Sequence, residues 1–262
     1  MSAQRRARHL SDFQIRRQPD DATCGPTCLH AVYRYFGDEV PLDDLLGEVP
    51  TVEGGGTLGV LLATHSLARG YRVTIVTWNL QVFDPTWFPG RASSAGGASL
   101  RERLLLRAEA KEDPKLRVAC RAYADFLDAG GKLELGDLEP ALLRRFLRRG
   151  VPILTGLSAT FLYREARERS LDCRPDDIAG DPVGHFVVLT GYRPASREVL
   201  VSDPMHPNPL AVVHTYPVMM GRLIGAIYLG VLTHDANLIV IEPGAERRGT
   251  EDHAHDRDRQ PG

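Results

Sequence analysis

The amino-acid sequence predicts an α+β fold, with a helical first half followed by a strand-rich second half. Two observations lead to this reading. Up to residue 70 the apolar residues recur at helical spacing, most clearly after Cys24, where Pro26 falls in a first turn, Leu29, Val32 and Phe36 share one stripe, and Gly37 follows the end. From residue 185 onward, short apolar runs bounded by Gly, Pro, Ser and Asp read instead as strands.

Taken in order, the first helix begins at Thr23 or Cys24 and is the best-marked element of the chain. A shorter helix is expected over 42–46 and another over 58–68, closed by Gly70 ahead of a β-rich stretch at 71–77. Pro85, Pro89 and the Gly/Ser/Ala run at 91–99 then break the pattern before a charged helical stretch at 100–110. The whole of 78–136 reads as an elaboration of one domain. The spacing of Leu138, Leu142 and Phe146 predicts a helix over 137–149, ended by Gly150 and Pro152 before a buried strand at 151–157. A polar insertion at 163–182 precedes strands at 185–192, 198–202 and 237–241, with a helix near 218–228 between the last two. The polar segments 1–15 and 246–262 are expected to be mobile tails around a single domain at 16–245, and His253 and His255 in the second are assigned no function.

Composition narrows the function classes. Of the 262 residues, 43% are hydrophobic, enough for a packed core, and the formal net charge of −2 provides no global field to recruit nucleic acid or an anionic membrane. Arg5, Arg6 and Arg8 lead into no apolar segment of secretory length, and no membrane-spanning run occurs, so a cytoplasmic protein without membrane insertion is expected. Four scattered cysteines (Cys24, Cys28, Cys120, Cys173) do not make a disulfide framework. The Cys-x-x-x-Cys spacing of Cys24 and Cys28 lacks the two-residue gap of a zinc knuckle, so neither metal nor cofactor is expected. His65 is expected on a helix at its boundary with solvent, His206 sits among Pro204, Pro207 and Pro209 in a loop able to line the cleft, and His214 and His234 have no constellation around them in the sequence.

Chemistry concentrates in three places. Cys24 stands at a helix N-terminus, where unpaired N–H groups and the positive end of the dipole favour a thiolate, and Gly25 and Pro26 keep bulk away from the sulfur. Six residues upstream, Gln18 can bring an amide beside the thiol and share an oxyanion with the Cys24 N–H. His185, in Gly184-His185-Phe186-Val187-Val188-Leu189, opens an apolar strand, and Gly184 leaves room beside the ring. Asp203, in Val201-Ser202-Asp203-Pro204, closes the next strand, from which a carboxylate can set the tautomer and orientation of His185. Cys28, one helical turn beyond Cys24, is read as core, with a resolving thiol as the alternative.

These motifs, together with Thr190-Gly191-Tyr192, resemble the papain-like cysteine peptidases that remove double-glycine leaders from bacteriocin precursors, and their stand-alone relatives. The resemblance implies a papain-like fold in which the nucleophile's helix packs on an antiparallel sheet, and a peptide or amide substrate. It further implies a thioester on Cys24, proton transfer by His185, orientation by Asp203 and oxyanion stabilisation by Gln18. Two other functions use the same residues: acyl transfer to an amine or thiol, and peptide binding without turnover.

Overall fold

The computed structural model describes residues 10–52, 55–88, 98–169 and 172–244. The expected tail at 246–262, residues 1–9 of the first tail, Pro89 and most of the run at 91–99 lie outside these residues. Residues 10–15 are packed: Leu10–Asp12 form a 3-10 turn and Phe13 is buried in the core.

The helical half begins with α1 (Cys24–Tyr35), α2 (Leu42–Glu48) and α3 (Gly59–Ala68), and strand β1 (Tyr71–Thr77) follows. Helix α1 is buried from Cys24 to Tyr33, so it runs through the interior, and each fully buried Leu or Val in it contributes roughly 1.5–3 kcal/mol. Helices α4 (Leu100–Ala110) and α5 (Pro114–Asp128) form a hairpin of their own before the short strand β2 (Lys132–Glu134). Next come α6 (Pro140–Leu147), the wholly buried β3 (Ile153–Ser158) and α7 (Ala159–Tyr163). The chain ends with β4 (Gly184–Arg193), β5 (Glu198–Ser202), β6 (Thr215–Met219), α8 (Met220–Leu229) and β7 (Asn237–Pro243).

Among the described residues all seven strands join one sheet in the order β2-β1-β7-β3-β4-β5-β6, antiparallel except for the β1–β2 pair. The expected α+β class therefore holds, with the cysteine-bearing helix packed on an antiparallel sheet. The sheet separates two cores. Phe186, Val188, Ile239 and Ile241 face α1, α3 and the α4–α5 hairpin, while Val187, Leu189, Leu238 and Val240 face α6 and α8, as the two-residue period of a strand requires.

The structure departs from expectation at several elements. Strand β1 falls on the β-rich stretch expected at 71–77, but the short β2 beside it at the sheet edge was not expected. Between 78 and 136 a second helix, α5, follows the expected one. The expected helix near 218–228 is split: β6 takes the residues up to Met219 and the helix starts at Met220. Strand β6 sits at the sheet edge, where Pro217 lacks no needed donor. Helix α7, which was not expected, runs up to Tyr163, the first residue of the expected polar insertion.

Candidate active site

Cys24 is the first residue of α1 and has 8% of its surface exposed. The Thr23 hydroxyl does not cap the helix; it gives its hydrogen to the Asp20 carbonyl (3.1 Å) and accepts the Asp20 N–H (3.2 Å). The helix N-terminus is therefore open beside the sulfur, the arrangement that favours negative charge there. Gly25 serves a different purpose from the one its position suggested. A Cβ built on it would lie 2.8 Å from Thr57 Cγ2, 3.1 Å from Leu62 Cδ1 and 3.2 Å from Phe186 Cδ2, so glycine allows α1 to approach α3 and β4. Likewise the space beside Gly184 is filled by Thr233, whose Oγ1 would lie 2.6 Å from a Cβ.

The structure brings His185 and Asp203 together. Strands β4 and β5 are antiparallel neighbours with Val188 opposite Ser202, which sets the first turn of β4 beside the residue that follows β5. His185 Nε2 lies 2.8 Å from Asp203 Oδ1, with the ring 4% exposed and the carboxylate fully buried. Nε2 is thereby committed to Asp203, which leaves Nδ1 for the sulfur. Burial alone would lower the pKa of His185, but the charge of Asp203, the charge of Cys24 and hydrogen bonds to both outweigh it and raise the group to about 10. Burial would raise Asp203, yet His185 and the hydroxyls of Tyr163 and Tyr216 hold it well below the usual carboxylate range. The pair is therefore an imidazolium–carboxylate ion pair near neutral pH.

The support around Asp203 was not legible in the sequence. Oδ2 accepts from Tyr163 Oη (2.6 Å), Tyr216 Oη (2.5 Å) and Asn208 Nδ2 (2.9 Å), while Oδ1 also accepts the Met205 N–H (2.9 Å). Burial and the Asp203 charge push both phenols well above the ordinary tyrosine value, so they remain donors. His214, which had no assigned context, pairs with the Asp203 backbone: Asp203 N–H donates to the His214 carbonyl and His214 Nδ1 lies 2.8 Å from the Asp203 carbonyl oxygen.

Gln18 is buried and anchored to the same region, its backbone N–H donating to the Pro204 carbonyl (2.9 Å). One Nε2 hydrogen goes to the Asp20 carbonyl (2.8 Å), and among the described residues neither Oε1 nor the second Nε2 hydrogen has a hydrogen-bond partner. Cys28 is core: it is fully buried, its thiol donates to the Phe186 carbonyl (3.2 Å), and burial followed by the charges of Cys24 and Asp203 raises its pKa far above that of a reactive thiol. A zinc role for Cys28 is thereby opposed by its place under the sheet.

Cys24 and His185 open on a cleft of about 590 Å³. Its far wall carries Phe186, Thr233, His234 and Asp235, and its rim carries Glu168, Arg169 and Cys173 from the insertion. His234 and Asp235 are site-lining residues that sequence reasoning missed, since nothing in Thr233-His234-Asp235-Ala236 distinguishes them from a turn.

Residues 140–228 match the Peptidase_C39 like family. This C39-like stretch runs from α6 to α8 and contains His185 and Asp203, along with Tyr163 and Tyr216; Cys24 and Gln18 lie ahead of it. Among solved structures, the chain is similar to a double glycine motif protease from an AMS/PCAT transporter crystallised with the leader peptide, at 11% identity and a TM-score of 0.41, with 90% of this chain and 95% of that one covered. It is also similar to the peptidase domain of Streptococcus ComA, a bi-functional ABC transporter involved in a quorum sensing pathway (13% identity, TM-score 0.40, 88% and 98% covered). A third is a C39-like peptidase from Bacillus anthracis, described there as putative (15% identity, TM-score 0.37, 89% and 96% covered). No curated protein matches the sequence. The resemblance to the bacteriocin-processing peptidases read from the motifs agrees with the C39-like match, which supports a cysteine peptidase type of function. Among the described residues no helix is long and apolar enough to cross a membrane.

Proposed function

We propose that this chain is a cysteine peptidase or amidase that hydrolyses a peptide or amide bond through a thioester on Cys24. The observation that carries this reading is the buried His185–Asp203 ion pair at the sulfur of a residue that opens a helix inside a cleft. A neutral core has no use for such a pair: taking two charges out of water costs several kcal/mol per ion unless the geometry compensates. Perturbed, paired groups in a cleft are the mark of a reactive site.

In the proposed reaction the Cys24 sulfur attacks the carbonyl carbon, and the carbonyl oxygen takes up the negative charge beside the Cys24 N–H and the free Nε2 hydrogen of Gln18. The C–N bond breaks as His185 Nδ1–H gives its proton to the departing nitrogen. A water then attacks the thioester, passing a proton to Nδ1; the C–S bond breaks, the acid leaves, and the sulfur is restored with its imidazolium partner. Asp203 keeps Nε2–H directed away from the sulfur throughout, so that Nδ1 is the nitrogen that exchanges protons.

The test uses N-benzyloxycarbonyl-glycine p-nitrophenyl ester, an acyl donor with little side-chain demand. Rapid mixing should give a burst of nitrophenolate, and acid quenching should leave one acyl adduct, mapped by mass to Cys24. Cys24→Ala should show neither, while its unfolding free energy changes by no more than about 1 kcal/mol, because a single sulfur is lost where α1 meets the cleft. An adduct on exposed Cys173, or none on Cys24, would overturn the reading.

A further inference from the structure

Helix α3 has no cap of its own. Leu58, the residue before it, makes no capping bond, and the N–H of Gly59, the first helical residue, goes instead to Oδ1 of Asp235 at 2.7 Å. The acceptor is buried and lies 176 residues further along, between the 3-10 turn Gly230–Thr233 and β7. A Ser or Asn in place of Leu58 would satisfy the same N–H locally. Taking a carboxylate out of water for one backbone hydrogen bond is costly, so this bond is explained by what it joins and not by the helix it caps.

On one side it joins a rigid turn that lines the cleft. The Asp235 N–H donates to the Gly230 carbonyl (3.0 Å), the Asp235 carbonyl accepts the Asn237 N–H (2.8 Å), and Asn79 Nδ2 holds the His234 carbonyl (2.9 Å). Backbone closes directly on the side chain: a Cβ on Gly156 would lie 2.5 Å from Asp235 Cβ, and one on Gly59 3.0 Å from its Oδ1.

On the other side it joins the nucleophile's helix. Thr57, two residues before Gly59, places Cγ2 2.8 Å from the Cβ position of Gly25, the residue after Cys24, and Leu62 Cδ1 lies 3.1 Å from the same point. The ring of Phe186 fills the space between, with Cδ2 3.2 Å from that point and Cε1 3.4 Å from the Cβ position of Gly59. Phe186 follows His185 in β4. A shift of α3 therefore reaches Cys24 through Thr57 and Leu62, and His185 through Phe186.

We propose that Asp235 is a positioning residue for the Cys24–His185 pair, its carboxylate holding α3 and Phe186 against the first turn of α1. The proposal rests on the cleft being the site of the hydrolase described above. A charged oxygen is a stronger acceptor than a neutral one, and this one stands at the positive end of α3. Its charge therefore sets how firmly the contact is held. Burial raises Asp235 to about 7, against the Gly59 N–H and Lys115, so that charge is lost as pH falls through neutrality. Other groups around the turn titrate elsewhere. On α5, burial holds Tyr123 well above the ordinary tyrosine value and Cys120 at about 11, while His234 is lowered by burial and then by Lys115, with Asp113 opposing. Helix α3, β3 and β4 present only Gly59, Gly156 and Phe186 to Asp235.

The test compares the full chain with Asp235→Asn, which retains an oxygen for the Gly59 N–H without the charge, and Asp235→Ala, which retains neither. Two rates are followed from about pH 6 to 8.5. The first needs no turnover: iodoacetamide alkylates Cys24, the sulfur attacking the methylene carbon as iodide leaves, and the adduct is mapped by mass. The second is hydrolysis of N-benzyloxycarbonyl-glycine p-nitrophenyl ester, resolved into kcat and KM. At about pH 8, Asp235→Asn should be about three- to ten-fold slower than the parent in both rates, and Asp235→Ala about ten- to a hundred-fold slower in kcat with KM within about two-fold. The ratio of parent to Asp235→Asn should shrink toward one below about pH 6.5, because a protonated Asp and an Asn offer the same neutral oxygen. Urea unfolding of each protein separates this from stability. A ratio that stays constant from pH 6 to 8.5, or variants that lower the urea midpoint and leave both rates unchanged, would show a helix cap only and overturn the proposal; if Asp235→Ala does not fold, the Asp235→Asn ratio decides alone. Alkylation of Cys24 that follows the charge of Asp235 without any acylation by the ester would retain the positioning role and discard the hydrolase, whereas acylation indifferent to Asp235 would do the reverse.

Discussion

Replacing Asp203 by Asn removes one charge from the site and almost no volume. The Asn oxygen can take the place of Oδ1 and still accept from His185 Nε2 and the Met205 N–H; the new amide nitrogen then faces Tyr163, Tyr216 and Asn208 where Oδ2 stood. The two phenols can turn to accept, while Asn208 Nδ2 loses the Asp203 carboxylate and keeps its longer bond to Tyr216 Oη (3.4 Å). Losing one part-buried hydrogen bond of this kind costs about 1 kcal/mol. To this is added the ion pair. Burial raises Asp203, but His185 and the Tyr163 and Tyr216 hydroxyls together lower it from 3.8 to about 2, and at about 1.4 kcal/mol per pH unit this net preference for the charged form is about 2 kcal/mol. The raised pKa of His185 reports the same interaction from the other side and is not added. A loss of about 3 kcal/mol corresponds to a Tm lower by roughly 6–12 °C for a chain of this size.

The pH dependence separates the ion pair from the packing. A carboxylate lowered in the folded state contributes above its unfolded value of 3.8 and loses that contribution as pH falls toward about 2. An imidazole raised in the folded state contributes fully below its unfolded value of 6.5 and loses it as pH rises toward about 10. The Tm difference between parent and variant should therefore be widest from about pH 4 to 6.5 and narrow on both sides. Asp235, raised by burial to about 7, titrates in both proteins and cancels in the difference. Thermal unfolding followed by circular dichroism from pH 3 to 10 reads this directly. Two parallel curves, separated by the same interval at every pH, would show that Asp203 acts by shape alone and would refute the ion pair. Turnover of the nitrophenyl ester should fall by up to about four orders of magnitude if Asp203 sets the tautomer.

Gln18→Ala should lower kcat for that ester by about 10²–10³ with little change in KM if the free Nε2 hydrogen meets the oxyanion; an equal change in both constants would point to the loop held at Pro204 and Asp20. Gly25→Ala forces a methyl to within 2.8 Å of Thr57 and should destabilise the fold by about 1–3 kcal/mol in chemical denaturation; an unchanged midpoint would mean that α1 is free to shift. Tyr163→Phe removes one donor from Asp203 Oδ2 and should move the acid limb of the stability curve upward in pH, toward 3.8, with the alkaline limb in place; an unmoved acid limb would mean that Tyr216 and Asn208 suffice.

The parts of this molecule that were readable in the sequence are those in which local signals and tertiary demands agree. Helix α1 is marked by Pro26, by its apolar stripe and by Gly37, whose φ of +80° is the conformation a helix stop requires. Strand β3 is apolar without alternation because both faces are covered, and β4 carries its histidine at the end that meets α1. Helix α5 carries local signals as clear as those of α1, with Asp113 as its cap, Pro114 at its first position and Leu116, Ala119, Cys120, Tyr123 and Phe126 on its apolar side; it was passed over because the Pro- and Gly-rich breaks ahead of it made the whole of 78–136 read as one elaboration. Strand β2 is three residues long, and β6 contains a proline that only an edge position tolerates; neither length nor composition can announce them.

The site shows the same division more sharply. Cys24, His185 and Asp203 can be picked out because each sits at an element end, where a side chain is anchored by regular structure and still faces a cleft. Their support is another matter, since Tyr163 is 40 residues from Asp203 in sequence and Asn208 and Tyr216 reach it from the loop after β5 and from the edge strand. What joins the two groups is backbone. The Cys28 thiol bonds to the Phe186 carbonyl next to His185, and the Gln18 N–H bonds to the Pro204 carbonyl next to Asp203. Each member of the reactive set is thus one residue from a hydrogen bond, or a close glycine contact, to another member's element. A change in the α1–β4 packing moves sulfur and imidazole together, while a change in the loop after β5 moves the Asp203 carboxylate and the Gln18 amide together. The group of Cys24, His185 and Asp203 is held in two halves, and the His185–Asp203 hydrogen bond is where they meet.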